Sequence, residues 1–161
     1  MSHPYIRRAG EGDTIWFIGN LVTVKTTGAR TQGHATVVEF VHAPGFAPPL
    51  HVHSVEDELF YLVSGTARFQ CGGERFEAGR GDFVLLPVGL PHTFLVGPGE
   101  PLHALLIATP SGFERFIAEA GRPARARSLP DPEPEDPADI VAIAARHGIE
   151  ILGPPPAEIP L

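Results

Sequence analysis

Alternating apolar and polar residues run through the first two-thirds of the chain, and a two-residue period is typical of β-strands. Turns rich in Gly and Pro separate these runs and mark where the chain reverses. The strands predicted in this way lie at residues 14–18, 20–26, 34–42, 51–53, 59–63, 66–71, 74–77, 82–86 and 102–108, with a further strand that begins at 92. A polar arm is predicted at residues 1–12 and a loop at 26–33.

The period becomes helical after residue 110. Phe113, Phe116 and Ile117 recur at i, i+3 and i+4, so residues 113–121 predict an amphipathic helix, and residues 139–147 predict a second one. The Pro-rich segment 122–136 is interpreted as a linker or surface loop, and residues 149–161 as an extended tail. These pieces are too short for a second domain, and we expect them to pack on the strands or on a partner subunit.

Length and composition then restrict the class of protein. The chain has 161 residues with 18 Gly and 18 Pro, which predicts one domain built as a turn-rich, all-β barrel. We place the barrel at about residues 13–109 and a helical, Pro-rich extension at about 110–161. The single cysteine, Cys71, allows no internal disulfide and fits a cytoplasmic protein.

The net charge of −7 argues against a nucleic-acid partner, because binding to phosphates needs clustered Lys and Arg. No apolar run reaches the 18 residues that a membrane span needs, so no membrane partner is expected.

The candidate chemistry centres on His51 and His53. Residues i and i+2 of a strand point to the same face, so both imidazoles project to one side. Three acids follow at 56–58, and strand parity cannot choose among them because the chain must turn first. Two imidazoles with a carboxylate form most of a site for a divalent first-row metal ion.

The spacing around these residues resembles that of the cupins. Their first motif is matched over residues 45–65, with its fixed positions at Gly45, His51, His53, Glu58 and Gly65. Their second motif is matched over residues 81–92, with its fixed positions at Gly81, Pro87, Gly89 and His92. The second motif usually ends in Asn, where this chain has Val96. That Asn is not a metal ligand in the family.

The resemblance implies a cupin jelly-roll β-barrel whose metal ligands are His51, His53, Glu58 and His92. Such a nitrogen and oxygen set accepts Fe, Mn, Ni, Co, Cu or Zn, so the identity of the ion stays open. The chain is also similar to the small cupins that include bacterial quercetin 2,3-dioxygenases. In the mechanism that this likeness implies, Glu58 is the catalytic base for the substrate's 3-hydroxyl, O₂ attacks, and the ring opens with loss of carbon monoxide.

Strand alternation extends the site into a predicted substrate pocket. An inward Glu58 implies inward Phe60 and Leu62, an inward His92 implies inward Phe94 and Val96, and Leu50 is placed at the mouth. His34 and His42, which flank one strand, are predicted to be surface or loop residues. His103 is predicted to lie in the wall or at the surface.

The leading hypothesis is a metal-dependent dioxygenase that takes a flavonol-like or other enolizable aromatic small molecule and O₂. A metal-dependent cyclase or isomerase of a polyketide-like or sugar substrate would use the same ligands without O₂. A non-enzymatic metal- or ligand-binding protein is the third hypothesis, because one fold hosts many functions. By analogy with the family we expect a homodimer, with the apolar N-terminal strands as its seam, although Trp16 is placed in the barrel wall.

Overall fold

The computed structural model describes residues 3–133 and 136–161. Residues 1–2 of the predicted arm and 134–135 of the predicted linker lie outside the described residues. One antiparallel sheet contains seven strands in the described ranges, in the order β11 (Arg122–Pro123), β1 (Asp13–Phe17), β2 (Asn20–Thr26), β3 (Thr36–His42), β10 (Leu102–Thr109), β5 (Asp57–Ser64) and β8 (Phe83–Leu86). The other has five, in the order β12 (Ile149–Gly153), β4 (Leu50–His53), β9 (His92–Val96), β6 (Ala67–Cys71) and β7 (Glu74–Ala78).

The all-β prediction is confirmed, and strand alternation explains how the core forms. In β3 the buried positions are every second residue from Thr36 to His42, and in β10 they are every second residue from Leu102 to Ala108. In β5, Phe60 is buried whereas Tyr61 is half exposed, as its opposite direction requires.

An aromatic cluster lies between the sheets. Phe69 of β6 is fully buried, and its ring contacts the rings of Phe60, Phe76 and Phe94 at centroid distances of 5.5 to 5.8 Å. Rings at this spacing fill the interior and add favourable edge and stacking contacts beyond the apolar area that they bury.

Four elements described here differ from the sequence prediction. The predicted loop at 26–33 contains a four-residue helix, α1 (Gly28–Thr31), and β3 begins two residues later than predicted. The predicted extended tail contains β12, which pairs with β4. The second helix, α3 (Pro137–Arg146), begins two residues earlier than predicted, because the side chain of Asp136 accepts a hydrogen bond from the Ala138 N–H and caps it.

The C-terminal elements pack on the barrel, which is one of the two predicted positions. Helix α2 (Phe113–Ala120) buries Phe113, Phe116 and Ile117 against the core. The carboxylate of Glu114 fastens the start of this helix, since it accepts hydrogen bonds from the N–H groups of Gly28 and Gly112 and from the Thr36 hydroxyl.

Helix α3 is joined to α2 by Glu119, whose carboxylate pairs with Arg146 and His147. The segment after α2 covers the first strand, where the Trp16 indole donates to the Ser128 carbonyl at 2.8 Å. Trp16 is therefore partly covered by the protein's own chain.

A group of exposed apolar side chains lies on the outer face of β5 and β8, away from the N-terminal strands. Its members are Tyr61, Val63, Phe83 and Leu85. β8 is also a free edge of its sheet. The homodimer stays a prediction. No helix in the described ranges combines the length and apolar character that a membrane span requires.

Gly148, between α3 and β12, offers a test of how firmly the extension is attached. Its φ is +73°, and a Cβ there would lie 2.7 Å from Ser54 Oγ. Ser54 donates hydrogen bonds from its N–H and its hydroxyl to the Gly148 carbonyl. We expect Gly148→Ala to lower the free energy of unfolding by about 1–3 kcal/mol, because it adds left-handed strain and a clash.

The matched control is Gly73→Ala, since Gly73 has open space around its Cα and no positive φ. Chemical denaturation of both variants measures the effect. Equal stabilities for the two variants would show that β12 does not depend on the Gly148 turn.

Candidate metal centre

Four polar side chains meet inside the barrel, on three strands. His51 and His53 lie on β4, His92 begins β9, and Glu58 lies near the start of β5. The register pairs His51 directly with His92, so ring centroids of these two are 4.5 Å apart. His53, Glu58 and His92 are almost fully buried, and His51 is partly buried at the mouth.

Each histidine is oriented by a hydrogen bond from its Nδ1. The acceptors are the Pro49 carbonyl for His51 at 2.7 Å and the Leu90 carbonyl for His92 at 2.9 Å. For His53 the acceptor is the carboxylate of Glu56 at 2.9 Å. Because a carbonyl or carboxylate oxygen only accepts, Nδ1 carries a proton, and Nε2 has a free lone pair whenever the ring is neutral.

The Nε2 atoms of His53 and His92 converge on the carboxylate of Glu58. Oε2 of Glu58 lies 3.0 Å from Nε2 of His92 and 3.5 Å from Nε2 of His53. One possible ligand atom from each of the four residues lies within 4.8 Å of the other three. Donors that share a first-row metal ion lie about 3–4 Å apart, because each bond is about 2.0–2.2 Å.

This arrangement fits a divalent metal ion. Lone pairs and a carboxylate that face one another across a buried space repel unless a positive charge, a proton or a metal ion, lies among them. The orienting bonds on Nδ1 are those that metal-ligating histidines use. The four residues can therefore hold a metal ion, and the identity of the ion stays open.

The charges of the cluster are strongly coupled. Burial alone raises the pKa of Glu58, but the charge of His53 and the hydrogen bond with His92 outweigh it and bring the pKa to about 2. Burial would lower the pKa of His53, but Glu58 and Glu56 raise it above the ordinary value of 6.5. Burial and the charge of His92 lower the pKa of His51 to about 4. Glu58 is thus ionised, and His53 holds a proton more readily than His51 does.

The three acids that strand parity could not separate have three different positions. Glu58 faces the histidines, and Glu56 orients His53. Asp57 points away and accepts a hydrogen bond from the Val88 N–H at 2.8 Å. The role of Glu56 was not predicted. The available signal was an acid three residues after His53, across a turn.

A cavity of about 100 Å³ opens beside the cluster. Its wall is almost wholly apolar and contains seven phenylalanines: Phe17, Phe40, Phe46, Phe60, Phe94, Phe113 and Phe116. Helix α2 supplies the last two, while Ile140 of α3 and Ile149 of β12 close the same side. The C-terminal extension therefore forms one wall of the site. An apolar cavity of about 150 Å³ binds benzene, so this smaller cavity takes one aromatic ring only with a small outward shift of its wall.

The predicted pocket is partly corrected. Phe60 and Phe94 line the cavity, but Leu62, Val96 and Leu50 do not. Leu62 and Val96 do point inward, as their burial shows, yet they lie two residues farther along their strands, about 7 Å deeper, beneath the aromatic layer. Leu50 packs at the edge of β4, next to Gly153 of β12.

His42 was wrongly predicted to be a surface or loop residue. It is 4% exposed and lines the cavity, because it has the same strand parity as Phe40. Burial lowers its pKa to about 3, although the charge of Glu58 opposes this. The prediction holds for His34, which is exposed, and for His103, which pairs with Glu39 on the outer face.

Ile18 borders the cavity in an unusual backbone conformation. Its φ of 49° lies in the left-handed region, where a β-branched residue is rare, and it forms a tight turn with Gly19. The amide of Asn20 donates a hydrogen bond to the Ile18 carbonyl at 2.7 Å. The turn thus directs an apolar side chain to the cavity at some conformational cost.

Comparison with known proteins agrees with this geometry. The cupin domain model matches residues 38–108, which carry all four clustered residues. Those residues form a cupin domain. Quercetin 2,3-dioxygenase of Bacillus subtilis is 33% identical over 91 residues, which are 56% of this chain and 27% of that protein. The chain thus spans little more than a quarter of the length of this curated relative.

Solved structures support the same fold. KdgF from Halomonas sp. has a TM-score of 0.60 at 14% identity, and the match covers 71% of this chain and 99% of that chain. A predicted oxalate decarboxylase from Thermotoga maritima also has a TM-score of 0.60, at 19% identity, covering 66% of this chain and 99% of its own. A nucleoside dehydratase has a TM-score of 0.55 at 20% identity, and the match covers 78% of this chain and 95% of that chain. At these identities the likeness shows the cupin fold alone.

Glu56 provides a test of the orienting bonds. We expect Glu56→Ala to weaken divalent metal binding about 10- to 100-fold, because His53 loses the acceptor that fixes its ring. Isothermal titration with Ni²⁺ or Co²⁺ measures the change, and Glu74→Ala, an exposed acid on β7, is the control. Unchanged affinity in Glu56→Ala would show that packing alone orients His53.

Proton release tests the electrostatics. Because the pKa of His53 is raised, the metal-free protein holds a proton there below that pKa, and the metal must displace it. We expect proton release on metal binding at pH 6, and an affinity that falls about tenfold per pH unit as the pH drops below the pKa of His53.

Calorimetry in buffers of different ionisation enthalpy counts these protons. Glu56→Ala should release fewer of them, since it removes one cause of the raised pKa. If the wild type releases none at pH 6, His53 is already neutral in the metal-free protein and its predicted pKa shift is wrong.

Proposed function

We propose that this protein is a metal-dependent dioxygenase that opens the ring of an enolizable aromatic substrate. Its curated relative carries the name quercetin 2,3-dioxygenase, which supports a substrate of this class. The observation that carries the proposal is the buried set of three histidines and one carboxylate at the end of an aromatic cavity. Four protein ligands leave one or two positions free on a five- or six-coordinate ion, which a substrate oxygen or O₂ requires.

The residues divide the work as follows. His51, His53 and His92 would hold the ion together with Glu58, which can also detach and act as a base. A bound divalent ion would polarise the substrate oxygen and, if it is redox-active, favour reaction with O₂. Glu58 is ionised and faces this space, so its Oε2 is the group placed to accept the proton of an enolic hydroxyl. The phenylalanine wall keeps water from the reacting ring.

The size of the cavity bears on the substrate. At about 100 Å³ it is slightly smaller than a known one-ring cavity, so a three-ring flavonol requires a large outward movement of α2 and α3. A single-ring 3-hydroxy-4-ketone such as maltol presents the same polar edge as quercetin and needs much less movement. The proposal therefore covers both sizes, and comparing them identifies the preferred one.

Oxygen uptake tests the proposal. Protein reconstituted with Fe, Mn, Ni, Co or Cu is given quercetin or maltol, with metal-free protein as the control. We expect uptake that requires both the metal and the substrate, with carbon monoxide released from quercetin. Confirmed metal loading with no uptake on either substrate would overturn the dioxygenase assignment.

Two variants test the residue roles. His51→Ala should lose turnover because a ligand is missing. Glu58→Gln that retains metal should lose about 100-fold or more in kcat, because proton removal lacks its base. Glu74→Gln is the control. Full activity in Glu58→Gln with metal present would remove Glu58 from the catalytic role.

A proton-transfer reaction without O₂, as in a cyclase or isomerase, is the second candidate. The ionised, buried Glu58 favours it, since the same base serves an enolization that stops before oxygen enters. Turnover of a substrate under anaerobic conditions, with no oxygen consumed in air, would favour this candidate over the dioxygenase.

A further inference from the structure

His42 has polar atoms that no protein group satisfies. Neither ring nitrogen has a hydrogen-bond partner, although both are buried. Among the described residues only Thr26 shares this condition, and it does not line the cavity. Leaving a buried polar atom unpaired costs about 1–3 kcal/mol, so the position needs an explanation.

Packing alone does not explain a histidine here. The ring of His42 is stacked between Phe40 and Phe46, with centroids 4.5 and 5.2 Å away and planes within 9° of parallel. A phenylalanine would stack in the same place without unpaired nitrogens. The imidazole thus adds polar atoms to a position where packing favours an apolar ring.

The other polar groups of the cavity wall are already engaged. Asn20 uses its amide on the Ile18 carbonyl and its carbonyl oxygen on the Ala43 N–H. The rest belong to the metal cluster, which is held on β4, β5 and β9, whereas His42 ends β3. His42 is therefore a second polar point in an otherwise apolar wall, apart from the four metal-binding residues.

We propose that His42 positions the substrate by a hydrogen bond to a hydroxyl or carbonyl on its aromatic ring, remote from the oxygen that faces the metal cluster. The preferred ligand is then a flat aromatic molecule with two polar groups. His42 stays neutral over the physiological range because burial lowers its pKa to about 3, so it offers one donor and one acceptor. The inference rests on the proposed function only in taking an aromatic molecule as the occupant of the cavity.

The test uses two single-ring probes of nearly equal shape, phenol and toluene, on the metal-free protein. NMR titration gives both dissociation constants for the wild type, His42→Phe and His42→Gln. We expect the ratio of toluene to phenol dissociation constants to fall about fivefold in His42→Phe, because one hydrogen bond is lost. His42→Gln, which keeps a donor and an acceptor, should retain part of the preference.

A direct measurement accompanies the variants. Phenol should shift the ¹⁵N resonances of the His42 ring in the wild type, and toluene should leave them nearly unchanged. The signals are assigned by their absence from His42→Phe, which we expect to fold at least as stably as the wild type. If His42→Phe is unstable, the signals are assigned by their absence from His42→Gln, and the ¹⁵N shifts in the wild type decide.

The proposal is overturned if the phenol preference survives in His42→Phe, if phenol leaves the His42 resonances unmoved, or if neither probe enters the cavity. None of these measurements involves metal or O₂. A failed dioxygenase assay together with a His42-dependent phenol preference would reject the proposed reaction and keep the role of His42. A positive dioxygenase assay without that preference would keep the reaction and reject the role of His42.

Discussion

The structure depends on one constraint: electron-donating side chains are brought together in a buried part of the barrel. Three imidazole nitrogens and the Glu58 carboxylate all present lone pairs to one point, and a charge that is buried without a counter-charge costs several kcal/mol. The fold bears this arrangement because strand pairing places His51 beside His92 and because hydrogen bonds on the far side of each ring prevent the histidines from turning away. A cation relieves the repulsion, which connects the stability of the site to its chemistry.

The cavity wall is built from two parts of the chain that lie far apart in sequence. The barrel supplies the metal cluster and most of the phenylalanines, while α2, α3 and β12 close one side through residues such as Phe113 and Ile149. Phe113 packs 5.8 Å from the His53 ring, so the extension touches the cluster itself. A change in how the extension sits would alter both the size of the cavity and the access of water to Glu58.

The sequence was sufficient for features that rest on local period and fixed spacing. Alternation located the strands, and the two cupin motifs selected Glu58 over its neighbouring acids. Features set by distant pairing were missed. β12 is short and is followed by prolines, so only its partner β4 identifies it as a strand. His42 was misplaced because alternation divides a strand into two faces but does not say which is inward. The cavity ends before it reaches Leu62 and Val96. Its depth depends on how the aromatic rings pack together, which the sequence does not show.

The three hydrogen bonds that orient the histidines differ in whether a substitution can remove the acceptor. Pro49 and Leu90 act through main-chain carbonyls, which persist whatever side chain those positions carry. Glu56 acts through its side chain, so a single codon change can remove it. Substitution at position 56 can therefore change the basicity and the ring orientation of His53, while the hydrogen bonds that orient His51 and His92 are kept. Metal preference in relatives of this chain should accordingly vary with the residue at position 56.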